Sequence, residues 1–279
     1  MIIDAHLHVW RATPADQPAA TTLVGPHEDV PIERALAVFD ANAVDRGVLV
    51  QPMYPGEDNS YVADCAAERP HRLAAVCVVD PRIPGADDRL EHWVVARGCR
   101  GLRLRPRFPE ESAVFGDPRT FPLWARAGAL GVPVNLLANP EHIATIARLA
   151  AQFPEVDILI DHLAHPDVAA GVGAPLFQAL LNLAEHPRVS IKVSGYYHFS
   201  KEPDPYRGSW DLIHAVYDRF GPRRMIWGSD FPHAERMTGY ARTLALIEYD
   251  LPFLNNADRA LILGANAARL YWPDHTRTS

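Results

Sequence analysis

The chain has 279 residues, 48% hydrophobic and 22% charged, with a formal net charge of −7. That length suits one large domain, and the acidic balance argues against nucleic acid, whose phosphates need a concentrated basic face. No apolar run approaches the ~20 residues that cross a bilayer, so no membrane partner is expected.

The first strand is expected in "MIIDAH", where an apolar run leads into Asp4 and the histidines His6 and His8. A Pro/Ala-rich stretch follows over residues 11–29, long enough to read as a lid. Then strands and helices alternate: helix "PIERALAVFDANA", strand "RGVLVQP", helix "NSYVADCAAERP", strand "LAAVCVVDP", helix "DRLEHWVVARG", strand "CRGLRLRP". The second half continues with helix "FPLWARAGALG", strand "VPVNLLANP", helix "EHIATIARLAAQFP", strand "VDILIDH", helix "APLFQALLNLAEHP" and strand "VSIKVSG". Helix "GSWDLIHAVYDRFG", strand "RMIWGSD" and a last helical region through "GYARTLALIEYDL" and "NADRALILGANAARLYW" complete it. In "EHIATIARLAAQF", Ile143, Ile146, Ala147 and Ala150 fall on one helical face.

Alternating strands and helices imply right-handed crossovers and a parallel sheet. Eight such units fit a (β/α)8 TIM barrel, one α/β domain over residues 1–279. A doubly wound sheet is the alternative, but no Gly-rich phosphate loop follows the first strand. The start shows no basic or apolar leader pattern. Cys65, Cys77 and Cys99 lack metal-ligand spacing and read as buried reduced thiols, so a cytoplasmic protein is expected.

In a barrel, catalytic groups come from the C-terminal ends of strands. Those ends supply His6 and His8, Gln51, Arg103 and Arg105, then Asp161, His162 and His165. Lys192, Ser194, Tyr196, Tyr197 and His198 follow, and the last strand gives Ser229, Asp230 and His233. Residues i and i+2 of a strand share a face, so His6 and His8 both point inward. Asp4, at the same parity, is expected to orient one of their rings. A single histidine there would be an ordinary hydrogen-bonded core residue; two on one face are harder to explain so.

Asp230 ends an apolar strand, where a carboxylate is costly unless paired or bound to metal. Its plain role would be a helix cap, but "FPH" separates it from any clear helix. As a functional group it serves as general base toward a water attacking a carbonyl. With His6, His8 and His162 it makes a three-histidine, one-carboxylate set suited to one divalent metal, zinc first. The ion would polarise the carbonyl and activate water.

"DAHLHVW", "IDHLAHP", "IKVSG", "WGSDFPH" and "NAARLYW", in that order across the whole chain, resemble the amidohydrolase superfamily. The branch they are most similar to is the amidohydrolase-related group of sugar lactonases and 2-pyrone-4,6-dicarboxylate lactonase. The resemblance implies a hydrolase opening a small lactone, ester or amide. It places His6, His8 and His162 on the family's histidines and Asp230 on its catalytic aspartate. Both a one-metal site and metal-independent catalysis, with the histidines donating hydrogen bonds to the carbonyl, are compatible with it. A binuclear site is not expected, because "LLANP" ends strand five without a histidine. Arg103 matches one carboxylate-gripping arginine of that branch, whereas His165 and His198 stand where others would be. Fewer substrate carboxylates, or a hydroxylated lactone, are therefore expected. Gln51, Tyr54, Asn59, His165, Tyr196, Tyr197, His198 and His233 are candidates for binding it.

Two other readings stay open at this point: a metal-dependent non-oxidative decarboxylase of a small unsaturated or aromatic acid, and a non-catalytic ligand-binding barrel. The expected partner is a small molecule. The oligomeric state is open between monomer and homodimer.

Overall fold

The computed structural model describes residues 1–11, 28–52, 57–202 and 204–273. Most of the stretch expected to form a lid, and Tyr54, lie outside the described residues. All eight expected strands are present: β1 Ile3–Leu7, β2 Arg46–Val50, β3 Leu73–Val78, β4 Leu102–Leu104, β5 Val134–Leu136, β6 Ile158–Ile160, β7 Val189–Val193 and β8 Met225–Trp227. They pair in parallel in sequence order. β1 meets the end of β8 through a parallel bridge between Leu7 and Phe231. Two backbone bonds complete the seam, Asp230 N–H to the His6 carbonyl at 2.8 Å and His8 N–H to the Phe231 carbonyl at 2.7 Å. The chain is a (β/α)8 barrel.

Side-chain alternation divides the strands between two apolar clusters. Ile3, Ala5, Val48, Val50, Ala74, Val76, Leu159 and Ile226 face the lumen, where Tyr271 and Leu270 of the C-terminal helix Asn266–Tyr271 join them. Their neighbours, such as Leu49, Ala75, Leu102 and Ile160, face outward against the helices. The Tyr271 hydroxyl donates to Asn135 Oδ1 inside the barrel at 2.7 Å. That helix therefore packs into the lumen through Leu270 and Tyr271. In the helix Ile143–Gln152 the buried face is Ile143, Ile146, Leu149 and Ala150, with Ala147 at its margin.

The lumen-facing positions become polar toward the C-terminal ends of the strands. Arg103 on β4 and Lys192 on β7 are both buried there. β1 breaks register between Asp4 and Leu7. The break lets Ala5, His6 and His8 all face inward, while Asp4 turns outward. Asp4 accepts bonds from Ser229 N–H at 2.9 Å, the Ser229 hydroxyl and the Tyr240 hydroxyl. It does not orient a histidine ring; it ties β1 to the turn after β8.

Candidate active site

His6, His8, His162 and Asp230 come together at the C-terminal end of the barrel, all buried. His8 Nδ1 donates to the Val50 carbonyl at 2.7 Å, which fixes its tautomer and leaves Nε2 bare. His6 Nε2 lies 3.2 Å from that nitrogen. Asp230 Oδ1 stands 3.4 Å from His8 Nε2 and 3.6 Å from His6 Nε2. His162 joins on the far side, with ligand atoms of His6, His162 and Asp230 all within 4.8 Å of one another. Its Nδ1 is paired with Ser194 Oγ at 2.9 Å.

These spacings fit a zinc ion. Bonds of 2.0–2.1 Å in tetrahedral geometry put neighbouring ligand atoms about 3.3–3.4 Å apart, close to the three separations above. The donor chemistry also fits, with imidazole nitrogens and one carboxylate oxygen.

Three features of the local backbone aim these groups. Residues His162, Leu163, Ala164 and His165 all have left-handed φ values, 52°, 52°, 57° and 53°. Such a run is costly for non-glycine residues. Burial of Leu163 and Ala164 holds it. Asp230 is left-handed too, at φ 59°. Finally, two glycines make room: a Cβ on Gly228 would lie 2.6 Å from His6 Cβ and 2.9 Å from its backbone nitrogen. One on Gly195 would lie 2.6 Å from His162 Nδ1.

Burial pushes His162 well below the usual imidazole range, and His6 to about 3 despite the Asp161 charge beside it. Both are therefore neutral. Burial also works against an ionised Asp230, but the ring of histidines around it, with the hydrogen bond from His198 among their contacts, holds the carboxylate well below its ordinary pKa. Its Oδ2 is held by the Tyr197 hydroxyl and by His198 Nε2 at 3.1 Å. The Asp230 side chain thus faces the cluster rather than capping the helix His233–Met237.

The remaining candidates divide. His165 donates from Nδ1 to the Ala138 carbonyl at 3.1 Å, leaving a buried Nε2 with no hydrogen bond among the described residues. His233 sits beside His8 and Trp10, its buried Nδ1 likewise without a hydrogen bond. Arg103 is engaged by Asp161, at 3.3 Å, and reaches the Gln51 carbonyl at 3.5 Å. Gln51 itself gives its amide to the Asp58 carbonyl at 3.0 Å. Asn59 is spent on the Val78 backbone, and Arg105 on Glu111. Tyr196 is not brought to the site: its hydroxyl donates to the Val193 carbonyl at 2.9 Å and its ring packs on Phe199 and Tyr206. Gly195 turns the chain through φ 63°, and the tyrosine that reaches Asp230 is the next one, Tyr197.

Sequence reasoning gave no role to Lys192 or Asp161, yet both are fully buried, 3.0 Å apart, directly behind His6. The signal was available, since Lys192 is the one charged residue of the buried strand Val189–Val193.

A family model described as amidohydrolase matches residues 3–272. The chain is 30% identical to an L-fucono-1,5-lactonase of Burkholderia ambifaria, over 96% of this chain and 94% of that one. It is 31% identical to a 4-sulfomuconolactone hydrolase of Rhizobium radiobacter, over 96% and 89%. Among solved structures it superposes on an amidohydrolase of Burkholderia multivorans with bound zinc, at a TM-score of 0.84, 24% identity and 98% and 99% coverage.

Proposed function

Because this chain belongs to the amidohydrolase family, we propose that it opens a small lactone by attack of an activated water. The observation that carries the reading is the triangle of His6 Nε2, His8 Nε2 and Asp230 Oδ1, with sides of 3.2, 3.4 and 3.6 Å. Lactone-opening enzymes among its relatives support the substrate class.

His6, His8, His162 and Asp230 are the residues that would hold one zinc. When bound, the ion polarises the lactone carbonyl and makes water nucleophilic at neutral pH. The chain's own groups do the rest. Asp230, anchored through Oδ2 by Tyr197 and His198, offers Oδ1 to the water and takes its proton as the C–O bond forms. The same proton then passes to the departing ring oxygen, which becomes the alcohol of the hydroxy acid. His165 Nε2, bare and buried, is an acceptor suited to a substrate hydroxyl, and His233 lines the opposite side beside Trp10. Arg103, held by Asp161 and close to the Gln51 carbonyl, is the candidate for gripping one substrate carboxylate.

Cytoplasmic residence is part of the proposal, since the three cysteines are free and buried. No helix among the described residues is long and apolar enough to cross a membrane.

The test is a panel of sugar lactones and unsaturated lactones assayed by acid release in weak buffer, with carbon dioxide measured in parallel on unsaturated and aromatic acids. Acid release on ring opening, abolished in Asp230→Asn, supports the reading. Carbon dioxide as the only product, or turnover unaffected by Asp230→Asn, overturns it.

A further inference from the structure

The His6 ring is gripped from behind by two side chains that the proposed reaction does not use. Lys192 Nζ stands 3.2 Å from His6 Nδ1 in hydrogen-bonding geometry, and 3.0 Å from Asp161 Oδ1. Asp161 Oδ1 is itself 3.3 Å from the same Nδ1. Although paired with Lys192, this oxygen receives no well-formed hydrogen bond among the described residues. The other carboxylate oxygen takes Arg103 at 3.3 Å.

One proton decides how these contacts work. With Lys192 donating to Nδ1, the proton of neutral His6 resides on Nε2. The front of the ring agrees. His8 Nε2 is bare, so the 3.2 Å contact between the two rings requires an N–H from His6. In that tautomer His6 Nε2 is a hydrogen-bond donor and has no lone pair for a cation. Shifting the proton to Nδ1 gives Asp161 Oδ1 the bond it lacks and frees the Nε2 lone pair.

We propose that Lys192 and Asp161 are positioning residues that select the tautomer of His6. Lys192 holds the Nε2–H form, and Asp161 holds the Nδ1–H form that can ligate a metal. The imidazole keeps one proton throughout, merely relocated between its nitrogens, and Lys192 keeps its own. A histidine ligand fixed through its other nitrogen by a carboxylate is a general device of metal sites. Here the carboxylate shares the ring with a competing lysine. This inference rests on the reading of His6 as a ligand.

The experiment is nitrogen NMR of histidine-labelled full-length protein, stripped with a chelator and then titrated with zinc, with His6 assigned by its absence in His6→Gln. Zinc affinity is measured alongside by competition with a chromogenic chelator. The expected result is Nε2–H at His6 in the stripped protein and Nδ1–H once zinc is bound. Asp161→Asn should weaken zinc binding by roughly 10–100-fold. Lys192→Met should bring His6 to Nδ1–H without zinc and bind zinc no more weakly than wild type. The wild-type spectra need neither variant to fold. Nδ1–H in the stripped wild type, or Asp161→Asn with wild-type affinity, overturns the inference alone. A wild type that takes up no zinc overturns the ligand reading and the inference together.

Discussion

Asp230 is held by four neighbours, and each leaves less freedom for the proton it must accept. Its Oδ2 is occupied by Tyr197 and His198, while Oδ1 faces the bare Nε2 of His8 and the His6 ring. Replacing it by asparagine keeps the shape and removes the base. Lactone turnover in Asp230→Asn is therefore expected to fall by roughly 10²–10⁴-fold, with the circular dichroism spectrum unchanged. The buried histidines also set how stability responds to acid. Burial lowers His165 and His233 to about 4, against about 6.5 in the unfolded chain. Between those values the unfolded chain binds more protons, so acid weakens the fold as pH falls from 6.5 toward 4. Each group contributes at most about 3 kcal/mol across that window. Asp4 works in the other direction. Burial raises it to about 6 against its hydrogen bonds from Ser229 and Tyr240, so protonation of this one group strengthens the fold over the same range. With several histidines against one aspartate, the urea midpoint should be lower at pH 5 than at pH 7, and the slope shallower in His165→Gln. A midpoint that rises on acidification would refute this.

At the level of elements, precision comes from turns rather than strands, several of which are only three residues long. The left-handed run His162–His165 sends two imidazoles from one short loop into the same space. The turn after β8 passes so close to β1 that only glycine fits at Gly228. A methyl there meets the His6 backbone, which cannot rotate away. Gly228→Ala should cost about 1–3 kcal/mol in urea unfolding, as overpacking does, and displace His6 enough to weaken zinc binding. A variant with wild-type stability and wild-type metal affinity would show that the turn relaxes freely. The order of strands and helices, and the placing of His6, His8, His162 and Asp230 at strand ends, follow from pattern alone. The role of Asp4 does not, because a register break of one residue in β1 reverses its face. Nor does the choice between Tyr196 and Tyr197, which turns on the φ of Gly195. Alternation tells which residues share a face only while the pleat is regular, and the site lies where the pleat ends.

For the whole molecule, the proposed ligands join β1, the loop after β6 and the turn after β8, segments more than 150 residues apart in the chain at their extremes. A bound ion then acts as a cross-link of the folded state. One zinc per chain is expected in purified protein by elemental analysis. At free zinc 100-fold above its dissociation constant the fold gains about 2.7 kcal/mol, a rise in Tm of roughly 5 °C for a chain of this size. A Tm that does not move on chelation and zinc restoration would contradict this placement.

The seam between β1 and β8 has a consequence for how the enzyme fails. The amides that zip it shut belong to His8 and Asp230, and their acceptors include the His6 carbonyl. Breathing of the barrel and loss of its chemistry are thus one event, not two. Amide hydrogen exchange at these positions should be as slow as in the strands they join, and an agent that opens the seam in a given fraction of molecules should cost that fraction of turnover. A barrel latched by its own reactive residues has no half-open state that still works.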